Sequence, residues 1–128
     1  MARLPRKAIE LFNDDQAMKG KATADAAGKP HLTPKVTMMA ITDESIAYSE
    51  MAGGTTEADS EATKQAALLA CKELKALKAT GVVQGACTSG DVFERFRKMA
   101  EGKRGLDVSN SVLTRVEEVS TGAGKKIA

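Results

Sequence analysis

The sequence predicts a mainly β domain, a small antiparallel sheet curled into a barrel with helices outside it. Three observations carry that reading. Short strand-like runs follow one another with turn signals between them, and no βαβ unit recurs at regular length. No internal repeat is present. The chain of 128 residues suits one domain, residues 1–128, and its single Tyr, three Phe and absent Trp leave the core to Val, Leu, Ile, Met and Ala.

Residues 4–12, LPRKAIELF, place Leu4, Ala8, Leu11 and Phe12 at helical spacing, with Pro5 tolerated in a first turn and NDD as the stop. Residues 17–25 read as a strand of small residues, followed by the turn AAGKP with Gly28 and Pro30. A second strand is expected from His31 to about Ile41, in which Pro34 favours an edge, a bulge or an opening in the sheet. TDES marks a turn, and IAYSEM reads as a third strand.

Residues 57–67 look helical by propensity. ALLACKELKAL is ambiguous: its composition favours a helix, whereas pairing with the strand-like GVVQGACTS would make a hairpin. A further helix begins at Asp91, with Glu94 three residues on, and ends in basic residues and Gly102. SVLTRVEEVS is the final strand, with Val112, Thr114 and Val116 on one face, and the tail TGAGKKIA orders only by packing against something.

Composition narrows the function classes. Nineteen basic against seventeen acidic side chains give a net charge of +2, too weak a bias for nucleic acid, and aromatic stacking platforms are nearly absent. The apolar runs fall far short of a bilayer span and the N-terminal stretch lacks a signal-peptide core, so a cytoplasmic protein without membrane contact is expected. Cys71 and Cys87 lack metal-site spacing and read as small buried residues. They are symmetric about Ala79, where a turn would let them face each other; a reducing cytosol disfavours their disulfide. GAGKK is not a phosphate loop: Val119 stands where its first Gly belongs and Lys126 where Ser or Thr belongs, leaving a flexible basic terminus.

The stretch SEMAGGTTEAD holds the best candidate chemistry. Gly53 and Gly54 let backbone N–H groups approach an anion, and Thr55 and Thr56 add hydroxyls at a helix start. The same residues equally make an ordinary helix cap, and Glu50, Glu57 and Asp59 oppose an anion. Lys35, with Thr37 on the same face of the second strand, is placed to supply positive charge if strands two and three are neighbours. His31, the sole histidine, reads as structural, and Tyr48 as a core aromatic. Ser45 and Ser49 have no base partner, so no catalytic residue and no metal site is assigned.

Taken in order, LPRKAIELFND, KATADAAGKPHLTPKVTMMAITDESIAYSE, GGTTEAD, GVVQGACTSGDVFERFRKM and VLTRVEEVSTGAGKKIA resemble the pyridoxamine 5'-phosphate oxidase-related, FMN-binding split-barrel family over nearly the whole chain. The turn Ala27–His31, similar to that family's DGxPH, is the most familiar piece. The resemblance implies a split β-barrel, a homodimer with two flavin mononucleotide (FMN) sites at its interface, and an oxidoreductase or electron-transfer role with a small-molecule or redox partner. It also implies that ALLACKEL is a strand.

By the same resemblance Pro34, Lys35, Val36 and Thr37 line one side of the flavin, and Met51, Ala52, Gly53, Gly54, Thr55 and Thr56 cradle its phosphate. The family's turn reads Gly-Lys-Thr-x-x-Asn. Here Thr55, Thr56 and Asp59 stand at the Lys, Thr and Asn positions, so only Thr56 matches. A charged hydrogen bond lost at Thr55 is worth roughly 1.5–3 kcal/mol. The alternative is a split barrel that has lost flavin and serves as a non-flavin small-molecule-binding or interaction module.

Overall fold

The computed structural model describes residues 3–35, 37–50, 64–87, 94 and 110–128. Within them lie one helix, α1 (Arg6–Phe12), and seven strands: β1 (Met18–Ala24), β2 (Pro30–Pro34), β3 (Met39–Ala40), β4 (Ser45–Glu50), β5 (Gln65–Lys72), β6 (Lys75–Cys87) and β7 (Asn110–Thr121). All pair antiparallel in one sheet of order β2-β1-β5-β6-β7-β4-β3.

That order forces the sheet to curl. β2 and β3 lie at opposite edges of the seven strands, yet only residues 35–38 join them. Six inter-strand gaps would separate the edges of a flat sheet by about 29 Å, whereas the five residue steps from Pro34 to Met39 reach at most about 17 Å. The side chains agree: the Lys21 ammonium on β1 lies 4.4 Å from the ring centroid of Tyr48 on β4, four positions away in the sheet. The result is an open, split-barrel-like sheet.

Its inner face is built by two-residue alternation. Ala66, Leu68 and Ala70 of β5 meet Leu77 and Ala79 of β6, while Ile46 and Tyr48 of β4 meet Val112, Thr114 and Val116 of β7; all are buried. A register shift between Thr80 and Gly81 leaves Glu117 as the extra residue of β7, so Val119 returns to the same face as Val116. Gly81 is required at that shift, because a Cβ there would collide with the Arg115 carbonyl. At one end α1 buries Ala8 and Phe12. Asn13 closes the helix, and its Oδ1 accepts a hydrogen bond from the Ala40 N–H of β3 at 2.7 Å.

Several sequence expectations hold. The α1 helix, the Asp25–Lys29 turn with Gly28 at φ 86°, the β3–β4 turn over TDES and the edge position of the Pro34 strand are all present. Of ALLACKEL, residues 67–72 lie in strand β5, as the resemblance implied, while Glu73 and Leu74 form the turn that follows.

Others are corrected. The helix expected over 57–67 gives way at Gln65, where β5 begins; residues 57–63 lie outside the described set. Good helix formers were overridden there by an apolar period of two that fills the barrel. The β5–β6 turn sits at Glu73–Leu74, not at Ala79, with Glu73 in the left-handed region at φ 57°. Cys71 therefore opposes Ala76, and Cys87 opposes Ser111, so the two cysteines do not face each other. The basic tail folds back: the Val119 N–H donates to the Ala128 carbonyl at 2.9 Å, and Ser120 bridges Lys126. Of the helix expected over 91–102, only Glu94 is described, and it is helical.

Candidate functional site

The seam where β2 gives way to β3 gathers the polar residues of the barrel interior. The expected long second strand stops at Pro34, and the chain resumes as β3 only at Met39. Pro34 cannot donate to a ladder, and it ends the pairing with Gly20. Lys35 and Thr37 thus belong to a linker, not to one strand face, but both are buried. β3, not β2, pairs with β4.

Lys19 of β1 ties this linker down from both ends. Its carbonyl accepts from the Lys35 N–H at 2.9 Å, and its ammonium donates to the Met38 carbonyl at 2.9 Å. Two hydrogen bonds from one residue, one of them charged, bracket the four linker residues and fix where Lys35 and Thr37 sit.

The inward face of β1 is Lys19, Lys21 and Thr23, all buried, with Lys21 fully enclosed. Alternation along MKGKATA dictates this: Gly20 and Ala22 face the other way. The Lys21 and Lys35 ammonium groups both approach the fully buried Tyr48 ring, at 4.4 and 5.8 Å from its centroid. Each such contact contributes about 0.5–2 kcal/mol. The arrangement presents two cations on one aromatic ring, with the Thr37 and Thr23 hydroxyls on the neighbouring buried positions. Thr114 Oγ1, also buried on the inner face, makes no hydrogen bond among the described residues.

Sequence reasoning found Lys35, Thr37 and Pro34 here but missed Lys19 and Lys21. The signal was the alternation itself: if Gly20, Ala22 and Ala24 face one way, both lysines face the other. Tyr48, read as a core aromatic, is in the core and also carries the cations. Val36 and Met51, Ala52, Gly53, Gly54, Thr55 and Thr56 lie outside the described residues.

The remaining candidates are structural. His31 Nε2 lies 3.9 Å from Asp25 Oδ2, and Asp25 Oδ1 accepts from the Ala27 and Lys29 N–H groups, so this pair holds the β1–β2 turn. Lys72 Nζ binds Asp14 Oδ2 at 2.7 Å, fastening the end of β5 to the segment after α1. The hydrogen bond from Lys72, with one from the Gln16 N–H, holds the Asp14 carboxyl below its usual range; the same bond raises Lys72. Among the described residues no group of His, Cys, Asp and Glu could hold a metal ion, and no helix is long and apolar enough to cross a membrane.

No protein-family model matches the chain, and no curated protein does. Solved structures do. The chain superposes on HupZ of Group A Streptococcus with a TM-score of 0.84 and 23% identity, covering 98% of this chain and 99% of that one. It is equally similar in shape to an FMN-binding protein from Syntrophomonas wolfei subsp. wolfei, with a TM-score of 0.84 and 14% identity over 91% of this chain and 84% of that one. A candidate pyridoxamine 5'-phosphate oxidase from Lactobacillus delbrueckii gives a TM-score of 0.72 and 22% identity, covering 91% and 93%. At such identities the likeness is one of fold, and the chain shares the mainly β split-barrel fold of these proteins.

Proposed function

We propose that the protein is an FMN-binding flavoprotein, an oxidoreductase or electron-transfer protein whose flavin sits at a homodimer interface. The observation that carries this reading is the buried linker. Lys35 and Thr37 are held in place by Lys19 and stand beside the Lys21–Tyr48 pair, in a fold shared with a protein that binds FMN. The residues suit the group: ammonium and hydroxyl donors match a phosphate.

In this reading Pro34, Lys35, Val36 and Thr37 line the flavin, and Met51–Thr56 contribute backbone N–H groups and the Thr55 and Thr56 hydroxyls to the phosphate. Lys35 compensates for the positive charge that Thr55 lacks. Bound flavin supplies the redox chemistry. The chain's residues bind and orient it.

The dimer is supported by the outward face of β1, β2 and β5. Met18, Leu32 and Leu69 are exposed there, Met18 and Leu32 by three quarters of their surface. An apolar cluster of this kind on a sheet face suits a second copy of the chain.

The test is titration of the apoprotein with FMN. Saturable uptake at micromolar concentration, with a yellow complex, is expected. Thr56→Ala and Lys35→Ala should each weaken binding about tenfold or more. A protein that stays colourless and takes up no FMN refutes the reading and leaves a split barrel serving another ligand.

A further inference from the structure

We infer that residues Lys125–Ala128 are an exchangeable strap: they fill a strand slot on one edge of β7 in their own chain, and the same slot accepts the equivalent segment of a second copy. Flavin plays no part in it.

β6 pairs with β7 from Ser111 to Thr121 and so occupies one edge of that strand along nearly its whole length. The other edge is divided. β4 takes residues 110–115, and the Val116 N–H donates to the Glu44 carbonyl at 2.8 Å. Past the register shift at Glu117, the strap takes over the same edge. The Val119 N–H donates to the Ala128 carbonyl at 2.9 Å, and the Val119 carbonyl accepts from the Ile127 N–H at 2.8 Å. The Thr121 N–H donates to the Lys125 carbonyl at 2.8 Å, its Oγ1 accepts from the Lys125 N–H at 3.1 Å, and Ser120 bridges Lys126. This is strand addition within one chain. Without the strap, the backbone groups of Val119 and Thr121 would offer themselves to any other strand.

The strap is held by main-chain pairing and by modest burial. Ile127 and Ala128 are half-buried against the core, while Lys125 and Lys126 are exposed. Main-chain pairing does not discriminate between copies, so an exchanged strap makes the same contacts as a resident one. The length of the connection then decides which copy supplies it. Gly122, Ala123 and Gly124 form that connection, closed by the Gly124 N–H donating to the Thr121 carbonyl at 2.9 Å, with Gly124 in the left-handed region at φ 97°. So short a tether gives the strap an effective concentration of about millimolar. A micromolar protein solution cannot compete, and the unaltered chain closes on itself. Cut below a two-residue loop, the connection cannot return Lys125 to the side of Thr121. The slot is then left to the strap of another copy.

The experiment has two arms. In the unaltered full chain, native-state hydrogen exchange should show the Val119 and Thr121 amides exchanging at least tenfold faster than the protected amides of the β5–β6 ladder, through local opening of the strap. In the second arm, Ala123 and Gly124 are deleted, leaving Gly122 alone between Thr121 and Lys125. Sedimentation of this protein should shift to at least twice the mass of the unaltered one. A free peptide of residues 124–128, at about the millimolar level of the tether itself, should return it to the unaltered mass.

An unchanged mass after the deletion overturns the exchange. So does an assembly that the peptide leaves intact, because its copies are then joined elsewhere. Val119 and Thr121 amides that exchange as slowly as the β5–β6 ladder also overturn it, since the strap would open only with the whole fold. That first measurement needs no altered protein and decides the matter if the shortened chain does not fold.

Discussion

The two halves of the barrel wall follow opposite rules. In β4, β6 and β7 the inward residues are those a solvent-facing sheet would be expected to hide: Ile46, Ala79, Val112, Val116 and Val119. In the wing made by β1 and β2 the pattern is inverted, with Lys19, Lys21 and Thr23 inside and Met18 and Leu32 outside. The first half is a core that holds the fold. The second gives up apolar burial at the place where charge is gathered, and it leaves apolar surface where another molecule can cover it. Local rules of patterning yield at sites with a task, and the break supports the proposed placement of the site.

The contrast can be broken most forcefully in the first half. Ile46→Ala removes a fully buried side chain and should cost about 2–5 kcal/mol in urea unfolding. Gly81→Ala should cost about 1–3 kcal/mol, because the added methyl meets the Arg115 backbone carbonyl, which cannot move aside as a side chain would. A change within about 0.5 kcal/mol for either would show that this half is not the stabilising one.

On the wing, Leu32→Ser should alter unfolding of the single chain by less than about 1 kcal/mol. It should instead shift the sedimentation of the proposed dimer toward the monomer. Unchanged sedimentation of a dimer would place the interface elsewhere.

The smallest effect concerns the Asp14–Lys72 pair, whose side chains are 27% and 41% exposed and therefore screened by water. Asp14 is depressed in the folded state, so its contribution is present above the usual carboxylate pKa and is lost as pH falls through the folded value. Lys72 is raised, so its contribution is present below the usual lysine pKa and is lost as pH rises through its folded value. Asp14→Asn should flatten the acid limb of the urea midpoint measured from pH 7 to pH 2.5. An identical acid limb in the variant would remove the pair from the account.

How much of this was legible in the sequence follows from what each segment's pattern could carry. α1 and β7 were readable because one apolar period dominates each. The Asp25–Lys29 turn was readable because Gly28 and Pro30 punctuate it. β5 and β6 were ambiguous because Ala, Leu, Lys and Glu are good helix formers and only the partner strand imposes the period of two. The long second strand failed at Lys35 because the departure of the chain from one sheet edge to the other is a property of topology, not of local composition. Lys19 and Lys21 were missed for a related reason. A lysine on a strand is ordinarily solvated, and only closure of the barrel makes its face the inside.

The short crossing from β2 to β3 gives the barrel an unusual kind of clasp. The two sheet edges are held together by covalent chain, and the span they keep is limited by the length of the five peptide units from Pro34 to Met39. Salt, pH or moderate heat can loosen hydrogen bonds and ion pairs around the seam without widening that limit. Two residues inserted between Lys35 and Met38 would raise it by about 7 Å. The aperture of this barrel is thus a mechanical constant of the chain, adjustable by insertion and deletion far more readily than by changes of solvent.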